Sequence, residues 1–129
     1  MFKIKRIYEN SENEDKYRVL VDRLWPRGIS KERADINIWL KDIAPSNKLR
    51  KWYSHDINKW PEFKTKYLEE IQEKKDLIKQ LNIMEKFNDT VTLLCSAKDE
   101  DHNNAVVLLE LLNQPQKIIR TSVSRIHGS

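Results

Sequence analysis

Cysteine occurs once in this 129-residue chain, glycine twice and proline four times. A single Cys makes no intrachain disulfide and cannot furnish a four-thiolate zinc knot. Two glycines are too few for a collagen-like repeat, a Gly/Ser linker or a glycine-rich phosphate loop. No apolar stretch approaches the ~20 residues of a membrane span. The opening residues, Met1-Phe2-Lys3-Ile4-Lys5-Arg6, thread charges through apolar side chains, so the continuous apolar stretch of a secretory signal is missing. A lone Cys without such a signal leads us to expect a cytoplasmic protein with no membrane partner. What the chain holds in quantity is charge: 34% of its residues are charged and 39% hydrophobic, enough for one core beneath a heavily charged surface. We expect a single domain over residues 1–129. The net charge of +4 is an ordinary solubility charge, inside the usual ~2–8. The positive residues form no single long run, which makes nucleic acid a less favoured partner than a small anionic molecule.

Along the chain, residues 2–8 alternate apolar and polar at their start, as a half-buried strand does. Residues 9–16 are polar and read as a surface loop. Residues 17–24 contain Val19-Leu20-Val21, a buried strand, which Trp25-Pro26-Arg27-Gly28 turns aside. Ser30 caps a helix carrying Ile36, Trp39, Leu40 and Ile43 in one stripe, ended by Pro45. Ser46 caps a second helix with Leu49, Trp52 and Tyr53. A long third helix begins either from an Asp56 cap or with Pro61 as its first residue, and runs to about residue 87, with Lys74-Lys75 interrupting its apolar stripe. Residues 90–95 form another buried strand. Asn103 or Asn104 caps a last helix, closed by Pro115. Residues 117–123 read as a final strand or arm, and 124–129 as a disordered end.

The order β-β-α-α-α-β-α, with two strands apolar along their length and a long helical excursion between them, predicts an α/β fold: a small sandwich with a mostly parallel central sheet flanked by helices. Ligands in open α/β sheets bind outside the C-terminal ends of parallel strands. Asp22, Arg23, Trp25 and Arg27 arrive there from one strand, and Ser96, Lys98, Asp99, His102, Asn103 and Asn104 from the other. Arg23 and Arg27 suit phosphate or carboxylate, and Trp25 suits stacking on a base or sugar. The alternative is an internal Asp22–Arg23 pair with Trp25 in the core. Asp99 and His102 suit proton transfer, with Asp22 and His55 as orienting partners. The alternative there is capping by Asp99, Asn103 and Asn104, with His102 merely at the surface. His55-Asp56 also reads as a helix stop followed by a cap. With Asp99 and His102 it lacks the spacing of a metal motif, so no metal is assigned, and no cofactor is specified. Cys95, at the end of a buried strand, reads as a small hydrophobe.

Two strings are more specific. Val19-Leu20-Val21-Asp22-Arg23-Leu24-Trp25-Pro26-Arg27-Gly28, and Ala97-Lys98-Asp99 with His102-Asn103-Asn104-Ala105, resemble the YeaO-like branch of the domain-of-unknown-function family 488. So do residues 39–46, residues 49–53 with His55-Asp56, and residues 91–94, so the resemblance spans about residues 3–113. It implies a small, cytoplasmic, single-domain protein without an assigned activity. A regulator role attached to some members finds no helix-turn-helix recognition helix in this chain. The family's motifs fall on the two strand-end clusters.

Three functions follow from these residues. The first is a small-molecule site, anionic, phosphate- or nucleotide-like, at the strand C-termini, with catalysis as a further step. It requires a polar cavity joining the clusters. The second is a nucleic-acid module using Arg27, Lys48, Arg50, Lys51, Arg120 and Arg125 on one continuous basic face. The third is a protein-interaction module in which the motif side chains only knit loops together. The concentration of ionisable groups at two strand ends favours the first.

Overall fold

Residues 1–114 are described by the computed structural model. The elements in chain order are β1 (Phe2–Arg6), β2 (Tyr17–Leu20), α1 (Lys31–Ala34), β3 (Ile38–Trp39), α2 (Asn47–Tyr53), α3 (Trp60–Gln72), α4 (Lys75–Asn88), β4 (Val91–Cys95) and α5 (Asn104–Asn113). The strands form one four-stranded sheet in the order β1-β4-β2-β3. Every pairing is parallel: Phe2 to Arg6 lie opposite Val91 to Cys95, Tyr17 to Leu20 opposite Val91 to Leu94, and Val19-Leu20 opposite Ile38-Trp39. The α/β class and parallel sheet are those the sequence pattern predicts. Among the described residues no helix is long and apolar enough to cross a membrane. The strand or arm expected over 117–123, the disordered end, and Arg120 and Arg125 lie outside the described residues.

Side chains on a strand alternate between faces, and two core clusters follow that alternation. Val19, Val91, Leu93 and Cys95 point to one face, where Phe63, Tyr67 and Ile71 of α3, Leu81 of α4 and Leu108 and Leu112 of α5 cover them. Leu20 and Leu94 point to the other, against Ile7, Ile29 and Ala34, with Trp25 and Trp39 at its edge. β4 is buried at all five positions because it has a strand on each side and a layer on each face. On the second face, nearer the strand N-termini, apolar packing gives way to charge. Buried Asp15 and Arg18 form an ion pair joined by Lys3 and Lys5.

Two elements depart from the sequence reading. The helix expected from Ser30 to Pro45 stops at Ala34, although Ser30 caps it as expected, accepting from the Arg33 N–H. Its C-cap, Asp35, is left-handed (φ 48°). The cause is Arg18, whose guanidinium takes the carbonyls of Ala34 and Asp35 at 2.8 Å each, while its own N–H donates to Asn37 Oδ1. The chain is thereby drawn into an edge strand, β3. Asn37 and Leu40 N–H groups continue the ladder to the carbonyls of Arg18 and Leu20, so Ile36, Trp39, Leu40 and Ile43 do not share a helical face. The long third helix is also two helices. Neither proposed start is met as stated: Asp56 caps a short 3-10 turn at Ile57–Lys59, and α3 begins at Trp60, one residue before Pro61, which lies in its first turn. The break falls at Glu73–Lys74, where Lys74 Nζ donates to the Ala44 carbonyl at 2.9 Å.

Candidate functional site

β2 and β4 run parallel, so their C-terminal ends open on the same side of the sheet. Residues 21–29 leave β2 there, and residues 96–103 leave β4 and enter α5. The turn after α2 forms a third wall. Between them lies a cavity of about 840 Å³, in the range of small-molecule sites. Asp22, Arg23, Trp25, Arg27, His55, Lys98, Asp99, His102, Asn103 and Asn104 all line it, so the strand-end clusters and the distant His55 come together.

Their side chains divide into two groups. One group is committed to holding the walls. Asp22 Oδ2 accepts from the Ser96 N–H at 2.8 Å and the Ser96 hydroxyl at 2.9 Å, fastening β2's exit to β4's. Burial raises the Asp22 carboxyl above its ordinary value, and the bonds from Ser96 and Asn104 oppose the rise. Arg23 does not pair with Asp22. Its Nε and one terminal nitrogen donate to the carbonyls of Pro45 and Ala44 at 2.9 and 3.1 Å. Trp25 donates its indole N–H to the Ile29 carbonyl and meets Trp39 edge to face at 5.5 Å. Asn103 is the buried cap of α5, accepting from the Val106 N–H and donating to the Asp99 carbonyl. Asn104 donates to the Val21 carbonyl at 2.9 Å.

The second group has its charge to spare. Arg27, Lys98 and His55 are exposed at the rim. Arg50 and Lys51 of α2, read from sequence as a solvated helix face, join them in lining the cavity. Among the described residues, Arg27, Arg50, Lys51 and Lys98 form no ion pair. His55 sits on a strained corner, since both it and Ser54 have left-handed backbones (φ 59° and 45°) without being glycine.

Asp99 and His102 form the one close acid–imidazole contact of the cavity. His102 Nδ1 lies 2.9 Å from Asp99 Oδ2. The carboxylate can only accept, so Nδ1 is the nitrogen that donates across this contact. The Asp101 N–H, followed by His102, holds the Asp99 carboxyl below its ordinary value. Behind the imidazole, Trp60 packs edge to face at 5.2 Å, and the Tyr53 hydroxyl donates to the His102 carbonyl at 3.0 Å. Burial, then the charges of Asp99 and Asp56, raise the Tyr53 phenol. Cys95 is buried, and burial lifts its thiol to about 12, so it carries no thiolate at neutral pH. Among the described residues no group of three or more His, Cys, Asp or Glu side chains converges to hold a metal.

Sequence reasoning missed Tyr8, Arg50, Lys51, Tyr53 and Ser54 as lining residues. Tyr8 follows β1, whose C-terminal end also opens on this side, and its hydroxyl donates to the Arg27 carbonyl at 2.8 Å. Reading β1 as a third parallel strand would have found it. The α2 residues had no such signal, because only the path of the chain after β3 swings α2 over the strand ends.

The family described as the inactive DUF488-N3 subclade matches residues 1–124. The uncharacterized protein YeaO of Escherichia coli (strain K12) is 41% identical over 108 residues, covering 84% of this chain and 93% of that protein. An uncharacterized protein of Mycobacterium tuberculosis (strain ATCC 25618 / H37Rv) is 37% identical over 111 residues, covering 86% of this chain and 92% of that protein. No solved structure matches significantly.

Proposed function

The chain belongs to the inactive DUF488-N3 subclade of the DUF488 family, and from that premise we propose that it is a binding protein for a small anionic molecule, phosphate- or nucleotide-like, held at the C-terminal ends of β2 and β4. The observation that carries this reading is the set of four cations, Arg27, Arg50, Lys51 and Lys98, that line one cavity and form no ion pair among the described residues. Cations gathered without counter-charges repel one another, and an anionic ligand relieves that repulsion. Trp25 and Tyr53 supply apolar wall against which a ring can lie.

Binding without turnover is favoured over catalysis. The carboxylate of Asp22 is engaged by Ser96, and Cys95 is a protonated, buried thiol. The Asp99–His102 pair retains the form of an acid–base dyad, but no activated nucleophile stands beside it. In this reading its work is to set the imidazole as a polar contact for the ligand. The description of the subclade as inactive is consistent with that assignment.

The test is calorimetric titration with inorganic phosphate and with ribonucleoside 5′-monophosphates. Arg27 and Lys98 make no side-chain hydrogen bond among the described residues, so R27A/K98A leaves the fold alone. Each lost charge-assisted contact is worth about 1.5–3 kcal/mol, and the double variant is expected to bind at least tenfold more weakly at unchanged melting temperature. Absence of binding to every anion tried, or equal affinity in the double variant, overturns the reading.

A further inference from the structure

An anion site needs cations, yet the strand-end wall of this cavity also carries a carboxylate with no cation beside it. Asp22 is in none of the ion pairs among the described residues, and its neighbour Arg23 turns away to the carbonyls of Ala44 and Pro45. The two oxygens of Asp22 are unequally served. Oδ2 takes two short bonds from Ser96. Among the described residues Oδ1 meets only Asn104 Nδ2, at 3.4 Å, and that amide makes its shorter bond, 2.9 Å, to the Val21 carbonyl. A half-buried carboxylate is stabilised by each donor it gains, and Oδ1, held only by the long Asn104 contact, has room for a further donor on the wall of the cavity.

The surroundings restrict what that donor can be. Five cations line the cavity against the two carboxylates of Asp22 and Asp99. An ammonium group entering this field meets net repulsion, whereas a neutral hydroxyl does not. The donor must also belong to a ligand whose anionic end is held by the rim cations. We infer that the ligand is a ribonucleotide whose ribose hydroxyl donates to Asp22 Oδ1, which makes Asp22 a specificity-determining residue for the sugar. This rests on the anionic-ligand reading given above. It assigns to Asp22 a recognition task instead of the role expected from sequence, orienting the Asp99–His102 pair. A site built to accept a hydroxyl's hydrogen bond discriminates strongly against the analogue lacking it, because its own acceptor is then left unpaired.

The experiment compares wild-type affinity for a ribonucleoside 5′-monophosphate with that for its 2′-deoxy, 3′-deoxy and 2′,3′-dideoxy counterparts, by calorimetry. The dideoxy ligand is expected to bind about tenfold or more weakly, the effect of one hydrogen bond to a charged acceptor. One of the two monodeoxy ligands should account for most of the loss. In a folded D22N protein the ribose preference should shrink to within about twofold. Equal affinity for the ribo and dideoxy ligands overturns the inference and leaves the anionic-ligand reading standing. A ribose preference that persists in a folded D22N protein overturns the assignment to Asp22. Failure of every nucleotide and of phosphate to bind removes both. The wild-type comparison needs no variant, so it stands even if D22N does not fold.

Discussion

Asp15 is fully buried, and its carboxylate is ringed by Lys3, Lys5 and Arg18, with the Glu12 N–H as a further donor. Burial alone would push its carboxyl up. The Glu12 N–H and the three cations outweigh that and bring it down to about 2. A carboxyl lowered in the folded state contributes stability that is complete above its unfolded value and is lost as pH falls toward its folded one. The contribution, on the order of 2 kcal/mol, should therefore fade between about pH 5 and pH 2. Asp15→Asn also leaves Arg18 buried without its anion, a loss on the order of 3 kcal/mol at neutral pH. Urea unfolding at pH 7 and again near pH 2 should show the wild-type advantage present at the first and nearly gone at the second. A gap unchanged with pH would mean that Asp15 is not ionised in the folded protein. The sequence did not disclose this cluster. Asp15 falls in a polar stretch, residues 9–16, that reads as a surface loop, and only the sheet shows that Lys3, Lys5 and Arg18 share one face. Asp22 and His102 were legible as strand-end residues, and Asp99 as the partner of His102, but the bonds to Ser96 and from the Tyr53 hydroxyl were not, because they depend on side-chain directions that spacing does not contain.

Ser46 shows how one side chain joins two elements. Its hydroxyl accepts from the Leu49 N–H, capping α2, and donates to Glu70 of α3 at 2.6 Å. The Ser46 backbone N–H donates to the other Glu70 oxygen at 2.8 Å. The cap was readable from sequence, since Ser before a helical apolar pattern is a local signal. The link to Glu70 was not, because it spans 24 residues. The same limit explains β3. Its two residues, Ile38-Trp39, carry no periodicity of their own, and what makes them a strand is the Arg18 clasp on Ala34 and Asp35 across the sheet. Local signals therefore located caps, turns and the two central strands, whereas edge pairing and helix breaks answered to distant partners. Ser46→Ala should lower stability by about 1–2 kcal/mol through the cap. Paired with Glu70→Ala in a double-mutant cycle, it should also show a coupling of at least about 0.5 kcal/mol. Additive losses in chemical denaturation would reduce Ser46 to a cap alone.

Over the whole molecule, charge is distributed unevenly in a way that the net figure hides. The chain carries 24 Lys and Arg against 20 Asp and Glu, but Lys117, Arg120 and Arg125 lie beyond the described residues. Residues 1–114 thus hold 21 cations against the same 20 acids, a net +1. The cavity lining alone holds five cations against two carboxylates, an excess of three, so the remainder of the described chain is net negative by two. Within residues 1–114 the excess of cations therefore lies among the cavity-lining residues, whereas duplex binding would call for an extended basic face. Screening should act on it in a measurable way, because the Debye length shortens from about 10 Å at 0.1 M salt to about 3 Å at 1 M. Nucleoside monophosphate affinity should fall on the order of tenfold over that range, and the R27A/K98A variant should show a distinctly flatter salt dependence. A 20-base-pair duplex at about 0.15 M salt should not displace the nucleotide, since few of its phosphates can enter a concave site. Displacement by duplex, with a salt slope of many charges, would instead assign these cations to a nucleic-acid surface whose further contacts come from outside the cavity.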